Sequence, residues 1–283
     1  MDFSGLVTLG RSGLSTARMG IGADAGIDAK ALEWAFEQGI NYFYWGTRRS
    51  PGMRDAIRNL APRHRDSLII ALQSYDPTGL STAFTFRRGL RQLGIEYADV
   101  LILGKRDAPL SRRVVDSALA LRAAGLVRHL CVSAHDRSLF APHLALGIFD
   151  LMMVRYNCAH TGAEREVFPL LEGRADRPGV LCYNSTRWGH LFDAAWMPPG
   201  ETTPTPTDLY RFVLSHPVVD LVLTAPRNRE QLERNLVTLR QGPPDPDERA
   251  WLQRVGKFVH GLSPQGNWDF VIQNLRPSRL SRR

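Results

Sequence analysis

The chain has 283 residues, of which 43% are hydrophobic, and this composition is sufficient for one sizeable core. Its formal charge of +8 comes almost entirely from arginine, because only Lys30, Lys105 and Lys257 among the 36 basic residues are lysines. The arginines are scattered, and no apolar run approaches the ~20 residues of a membrane-spanning helix, so we expect a small anionic ligand rather than nucleic acid or a membrane. The N-terminal residues lack a secretory-signal pattern, which favours a cytoplasmic protein.

Alternating strand-like and helix-like segments follow a short N-terminal piece. Two β-prone stretches around residues 10–13 predict a hairpin, within residues 1–16, that closes the bottom of the fold. Eight apolar runs come next, each separated by enough chain for one amphipathic helix. They cover residues 17–22, 40–44, 68–72, 99–103, 128–133, 150–154, 179–183 and 219–224. Eight such units predict an α/β fold, a (β/α)₈ TIM barrel over residues 17–240, within a single domain.

The C-terminal part adds a helix to this barrel. The breaker QGPPDPDE follows the eighth unit, and the next residues place Trp251, Leu252, Val255 and Val259 on one helical stripe. Residues 241–283 are therefore predicted to form an extra C-terminal helix and a basic tail. The proline-rich segment 197–208 is long for a simple connection, which favours a lid.

The cysteine and histidine residues give no recognised signature. Three cysteines form no disulfide framework. Cys158 and His160 are considered as a nucleophile and its base, but a spacing of two residues is not typical of such a pair. His135, His160 and Glu164 are considered as metal ligands, yet their spacing matches no metal motif, and we expect no metal.

Several short motifs occur in the order and at the spacings of one protein family. They are LGRSGLSTARMGIG (9–22), GINYF (39–43), LGIEYAD (93–99), GLVRHLCVS (125–133), YN (156–157) and REQLERN (229–235). The ordered set, from about residue 5 to 240, resembles the aldo-keto reductases. The resemblance implies a TIM barrel that reduces carbonyl compounds with a nicotinamide cofactor.

The resemblance also implies which residues bind that cofactor. Arg227, Gln231 and Asn235 match the positions at which the family holds the adenine and phosphate end of NADPH. Arginine suits a 2′-phosphate because its planar fork pairs with oxyanions, so we expect NADP(H) as the cofactor. Tyr183 matches the ring that stacks on the nicotinamide, and Ser133 matches the serine that binds its carboxamide.

The four catalytic residues of the family are not retained. Tyr44 stands at the position of the aspartate, Arg49 at that of the tyrosine, Gln73 at that of the lysine and Gly104 at that of the histidine. Separate flanking motifs anchor the four positions, so one shift of the alignment does not explain the differences. The sequence therefore predicts a non-standard active site.

Other residues at the carboxyl ends of the strands can rebuild such a site. Tyr44 is the expected proton donor, with Arg49 lowering its pKa, and Lys105 and His160 are further catalytic candidates. A polar or anionic small-molecule substrate is expected to contact a group of arginine, aromatic and polar residues. They are Trp45, His135, Arg155, Asn157, Arg187 and Trp188.

Three functions fit these observations. The first is an NADP(H)-dependent oxidoreductase with a rebuilt proton-transfer site. The second is a redox-neutral barrel enzyme, such as a lyase, cyclase or isomerase. The third is a nucleotide-binding pseudoenzyme without turnover. The fold does not discriminate among them, because function resides in the site.

Overall fold

The computed structural model describes residues 2–22, 25–46, 49–106 and 108–262, with the backbone alone at Lys105 and Arg106. A two-stranded antiparallel hairpin, β1 (Val7–Thr8) and β2 (Ser15–Thr16), precedes eight parallel strands. These are β3 (Met19–Gly22), β4 (Tyr42–Trp45), β5 (Ile69–Ser74), β6 (Ala98–Arg106), β7 (Val127–Ala134), β8 (Leu151–Arg155), β9 (Gly179–Tyr183) and β10 (Leu221–Thr224). They pair in chain order, and β10 closes on β3, so the predicted (β/α)₈ barrel with its hairpin is confirmed.

Helices surround this barrel. They are α1 (Ala29–Glu37), α2 (Pro51–His64), α3 (Thr82–Leu93), α4 (Arg112–Ala123), α5 (Phe140–Ala145), α6 (Ala163–Glu166), α7 (Pro206–Leu214), α8 (Arg229–Leu236), α9 (Thr238–Gln241) and α10 (Pro246–Gly261). Side-chain caps begin several of them, for example Ser50 at α2 and Asn228 at α8. Across the described ranges, none of these helices has the length and apolar character that crossing a bilayer requires.

The core has two layers that follow from the alternation of side chains along each strand. Residues such as Tyr42, Ile102 and Leu181 point into the barrel, whereas their neighbours pack outward against the helices. Leu9, from the hairpin, is fully buried in the inner layer, and the backbone of Arg11 bonds to Arg177 at the bottom of the barrel. The predicted role of the hairpin as a bottom plug is therefore confirmed.

The C-terminal helix α10 is fixed against the barrel. Its start is held by a capping box between Asp245 and Glu248, and Glu248 also pairs with Arg211 of α7 at 2.8 Å. At Gly256 the helix touches the backbone carbonyl of Cys158, just after β8, so closely that a Cβ atom would overlap it. The predicted C-terminal helix is present, and it supports the carboxyl end of β8. The tail predicted over residues 263–283 lies outside the described residues.

Replacing Gly256 with alanine is expected to lower the free energy of unfolding by ~1–3 kcal/mol, because the added methyl group meets backbone rather than a flexible side chain. Gly261→Ala is the matched control, since nothing lies within 4 Å of a Cβ there. The control is expected to leave stability unchanged or raise it by up to ~1 kcal/mol. Chemical denaturation measures both, and equal effects of the two variants would contradict the close contact at Gly256.

Candidate active site at the carboxyl end of the barrel

Tyr44 and Gln73 occupy the centre of the barrel mouth on neighbouring strands. Both side chains point inward from the carboxyl ends of β4 and β5, and both are buried. The hydroxyl group of Tyr44 donates a hydrogen bond to Oε1 of Gln73. The same oxygen accepts a hydrogen bond of 3.0 Å from the hydroxyl group of Tyr75, a residue 43% exposed. The three side chains thus form a polar network from the barrel interior to solvent.

Two glycines make room for this network. A Cβ atom at Gly46 would overlap the ring of Tyr44, and a Cβ atom at Gly104 would overlap the amide of Gln73. Tyr44 therefore folds over the exit of its own strand, and Gln73 extends across the exit of β6. Gly104 therefore leaves free the space that the side chain of Gln73 occupies.

Trp45 and Arg49 are not where the sequence led us to expect them. Since Tyr44 points into the barrel, Trp45 faces the helices, where it is 2% exposed and donates a hydrogen bond to the carbonyl of Ser50. The expectation that Trp45 contacts a substrate is thereby corrected. The guanidinium of Arg49 lies over the Trp45 ring, 5.0 Å from its centroid, and beside Gly89 of α3. Arg49 therefore belongs to the helical side of β4, not to the inner side that holds Tyr44.

Arg155 and Tyr183 face inward on the opposite wall. The Cα atoms of the two residues are partners at the ends of β8 and β9, and both side chains follow the inward positions of their strands. Arg155 is half-buried, and burial lowers its pKa from the usual arginine value. Its guanidinium makes no hydrogen bond and no ion pair to any residue that the structure describes.

Asn157 ties the exits of these two strands together. Its Nδ2 donates to the carbonyl of Asn184 at 2.8 Å, and its Oδ1 accepts from the backbone N–H of Ala159 at 3.0 Å. The residue is fully buried, so the expectation that it contacts a substrate is corrected. Asn157 instead fixes the loop after β9 to the loop after β8.

The loop after β9 has an unusual backbone. Asn184, Arg187 and Trp188 have φ angles of 58°, 50° and 55°, in the left-handed region that costs about 1–3 kcal/mol for a residue other than glycine. Asn184 organises the turn, because its carbonyl and its side chain accept from the backbone N–H groups of Arg187 and Trp188, both at 3.0 Å. The turn buries the Arg187 side chain to 5% exposure and leaves Trp188 55% exposed.

The loop after β8 brings His160 to these arginines. Burial, together with the positive charges of Arg155 and Arg187, lowers the pKa of His160 to about 3, so the imidazole is neutral near pH 7. Its Nδ1 is buried without a hydrogen-bond partner in the described chain. Burial raises the pKa of the neighbouring Cys158 to about 12, which favours the protonated thiol over the thiolate that a nucleophile requires.

The residues expected to hold a nucleotide lie at the end of β7 and after β10, on the two sides of the wall formed by β8 and β9. Ser133 is buried at the end of β7, with its hydroxyl unpaired in the described part of the chain. Arg227 is exposed just before α8, and its guanidinium has no partner among the residues described. Gln231 accepts from the Arg227 backbone N–H at 2.9 Å, and Nδ2 of Asn235 donates to Thr224 at 2.8 Å. Gln231 and Asn235 thus also hold the loop and helix in place.

Two residues that the sequence predicts for the site remain, Lys105 and His135. The side chain of Lys105 lies outside what the structure describes. His135 follows β7 and is partly exposed. The described residues contain no group of three or more histidine, cysteine, aspartate or glutamate side chains arranged as metal ligands. Glu164, one of the residues considered for a metal, accepts a short hydrogen bond of 2.5 Å from Tyr156.

Comparison with known proteins gives no match to a protein-family model or to a curated sequence. Solved structures do match. An aldo-keto reductase from Bacillus halodurans in its holo form has a TM-score of 0.74 at 21% identity, covering 89% of this chain and 96% of the other. An aldo-keto reductase from Klebsiella pneumoniae in complex with NADP and acetate has a TM-score of 0.71 at 19% identity, covering 90% and 95%. Another from the same organism, in complex with NADPH, has a TM-score of 0.72 at 17% identity, covering 93% and 96%.

The chain has the aldo-keto reductase fold. This agrees with the resemblance that the sequence motifs indicate, and it extends over the whole barrel rather than over isolated motifs. Within the aldo-keto reductase fold, Tyr44, Gln73 and Gly104 occupy the carboxyl ends of three successive strands, where a TIM barrel places its reactive side chains. Sequence reasoning missed Tyr75, although its position two residues after Gln73 follows the alternation of the strand.

Proposed function

We propose that this protein is an NADP(H)-dependent oxidoreductase of the aldo-keto reductase type with a rebuilt proton-transfer site. The observation that carries the proposal is the Tyr44–Gln73–Tyr75 network at the barrel mouth, with a phenol hydroxyl on the inner wall and a polar connection to solvent. The fold supports it, because the solved aldo-keto reductases that resemble this chain include complexes with NADP and with NADPH.

The residues present fit such a cofactor. Arg227, an exposed arginine with no counter-ion among the described residues, is suited to the 2′-phosphate of NADP(H). Ser133 presents at the end of β7 a hydroxyl group to which no described residue is bonded. Tyr183 supplies an aromatic ring at the end of β9 for the nicotinamide. These three residues would bind the cofactor, with Gln231 and Asn235 holding the adenine end.

Reduction of a carbonyl group needs a hydride for carbon and a proton for oxygen. The bound cofactor would supply the hydride and leave as NADP⁺. The chain supplies the proton: the Tyr44 O–H bond breaks as the carbonyl oxygen forms its own O–H bond. The Gln73 oxygen accepts from both tyrosines and passes no proton between them, so the resulting phenolate recovers its proton from solvent that enters the mouth after the product leaves. Gln73 is neutral, so it orients Tyr44 but adds no positive charge.

Replacement of Arg227 by alanine is expected to weaken NADPH binding at least tenfold and to leave NADH binding almost unchanged. The reason is that a charge-assisted hydrogen bond contributes ~1.5–3 kcal/mol, and NADH lacks the 2′-phosphate. Fluorescence titration of the purified protein with each cofactor measures the effect.

The matched control for that titration is Arg229→Ala. Arg229 is an exposed arginine two residues further on, but it pairs with Glu233 at 2.8 Å and lies over the Trp34 ring. The control is expected to change NADPH affinity less than about twofold. Equal losses of NADPH and NADH affinity in Arg227→Ala would disprove the assignment to the 2′-phosphate.

One observation favours a second candidate, nucleotide binding without turnover. Tyr44 is 5% exposed, and its hydroxyl already donates to Gln73, so it must exchange this partner for a substrate oxygen before it reacts. A protein that binds NADPH but transfers no hydride to any compound fits this candidate. A protein that binds no NADPH fits a redox-neutral enzyme instead.

A further inference from the structure

Arg155 introduces a positive charge into the inner wall of the barrel. It follows Leu151 and Met153, which point inward from the same strand, and it lies beside Tyr183. Half-buried charges are costly unless an opposite charge or hydrogen bonds compensate them. Among the residues that the structure describes, none offers Arg155 either, so its guanidinium is at the inner wall without a described partner.

The two carboxylates of helix α6 already have partners. Glu166 accepts from Arg137 at 2.9 Å, and Glu164 accepts from Tyr156 at 2.5 Å while lying 3.7 Å from Arg249. The titratable groups that face Arg155 and His160 are instead Arg187, Arg137 and His260. Tyr183 and Cys158, the remaining neighbours, are hydroxyl and thiol groups that are weak acids.

The backbone holds this group of cations in place. Asn157 fastens the loop after β8 to the loop after β9, and the left-handed residues Arg187 and Trp188 follow directly. Strained backbone of this kind persists where the surrounding structure enforces it, and it concentrates at binding sites. The ring of His160 packs edge to face on His260 of α10 at 5.2 Å, which fixes the imidazole from the other side.

We propose that Arg155, Arg187 and His160 form an oxyanion subsite that binds the carboxylate or phosphoryl group of the substrate. This inference rests on the proposed function, and it identifies the substrate class as a carbonyl compound that bears such an anionic group. The guanidinium of Arg155 pairs with two oxygens of the anion, and the neutral imidazole of His160 donates its N–H to the anion. The inward position of Arg155 directs the anion toward the centre of the mouth.

The test measures anion binding separately from cofactor binding. Inorganic phosphate and succinate are titrated by calorimetry into the protein with and without NADPH, and NADPH is titrated into the same variants. Arg155→Met keeps the apolar stem but removes the fork, and Arg155→Lys keeps the charge without the fork. Arg165→Met removes one charge from the exposed face of α6 and is the matched control.

We expect the unmodified protein to bind at least one of the two anions. Arg155→Met should weaken that binding at least tenfold, Arg155→Lys should give an intermediate affinity, and Arg165→Met should change it less than about twofold. NADPH affinity should stay within about twofold in all three variants. A parallel tenfold loss of NADPH affinity in Arg155→Met would overturn the inference by assigning the subsite to the cofactor diphosphate. Failure of the unmodified protein to bind either anion while it binds NADPH would overturn it and leave the proposed function intact.

Discussion

Replacing Tyr44 with phenylalanine is expected to lower turnover of the substrate by ~10²-fold or more, while NADPH affinity changes by less than about threefold. The variant removes the hydroxyl that donates to Gln73, but it keeps the ring that packs over Gly46. Gln73 still accepts from Tyr75, so no buried amide oxygen loses all of its partners. Steady-state kinetics on the substrate, together with fluorescence titration of NADPH, measure the two quantities.

The companion variant Tyr75→Phe separates chemistry from positioning. Tyr75 contacts Gln73 and solvent rather than the interior of the barrel, so its loss should reduce turnover only by about two- to fivefold. A Tyr44→Phe protein that turns over normally would remove Tyr44 from the mechanism. A larger loss in Tyr75→Phe than in Tyr44→Phe would assign the proton donor to Tyr75.

Simple aldehydes and ketones are expected to be poor substrates, reduced ~10²–10⁴-fold more slowly than by a reductase with a charged general-acid system. The sequence predicts that the family's aspartate, lysine and tyrosine are replaced here by Tyr44, Gln73 and Arg49, in that order, and the structure turns the Arg49 guanidinium toward Trp45. Because Gln73 is neutral and Arg49 faces Trp45, neither residue places a full positive charge beside the phenolate of Tyr44. Loss of NADPH absorbance with an aromatic aldehyde measures the rate.

The control for that measurement is an aldehyde of the same size that carries a carboxylate. If Arg155 binds the anion, the carboxylated compound should react faster than the neutral one. Rapid reduction of the neutral aldehyde by the unmodified protein would contradict the loss of the four catalytic residues, because it would require an intact general acid at the mouth.

The barrel could be predicted from the sequence because its signals are local and repeated. Each of the eight apolar runs is a strand in the structure, with its ends shifted by a few residues, and α10 follows the stripe of Leu252, Val255 and Val259. The chain after β10 forms two helices, α8 and α9, that are divided at Val237.

The direction of side chains at the strand ends was harder to predict. Tyr44 and Trp45 are adjacent, and only the inward register of β4 decides that Tyr44 enters the mouth and Trp45 packs in the outer layer of the core. Asn157 is polar and follows a strand, yet both polar atoms of its amide form hydrogen bonds to the backbone of Asn184 and Ala159. Such assignments depend on pairing between strands that are distant along the chain.

Some features of the site depend on residues that are distant in the sequence and meet only in the folded structure. Gly46 and Gly104 carry no chemical signal in the sequence, but their missing side chains admit Tyr44 and Gln73. Arg155 could be named as a pocket residue from its position. That no described carboxylate pairs with it depends on where Glu164 and Glu166 find their partners. These features depend on tertiary contacts, and no single segment of the sequence predicts them.

The most direct measurement of the central claim is the transfer of deuterium from NADPH labelled at the reactive carbon of the nicotinamide. The protein is incubated with the labelled cofactor and a mixture of small metabolites, and the products are analysed by mass spectrometry, with Arg227→Ala as the parallel sample. We expect deuterium in an alcohol that carries a carboxylate or phosphoryl group, at a level at least tenfold lower in Arg227→Ala at limiting NADPH. Tight binding of NADPH with no deuterium in any product would contradict an oxidoreductase and favour a nucleotide-binding protein without turnover.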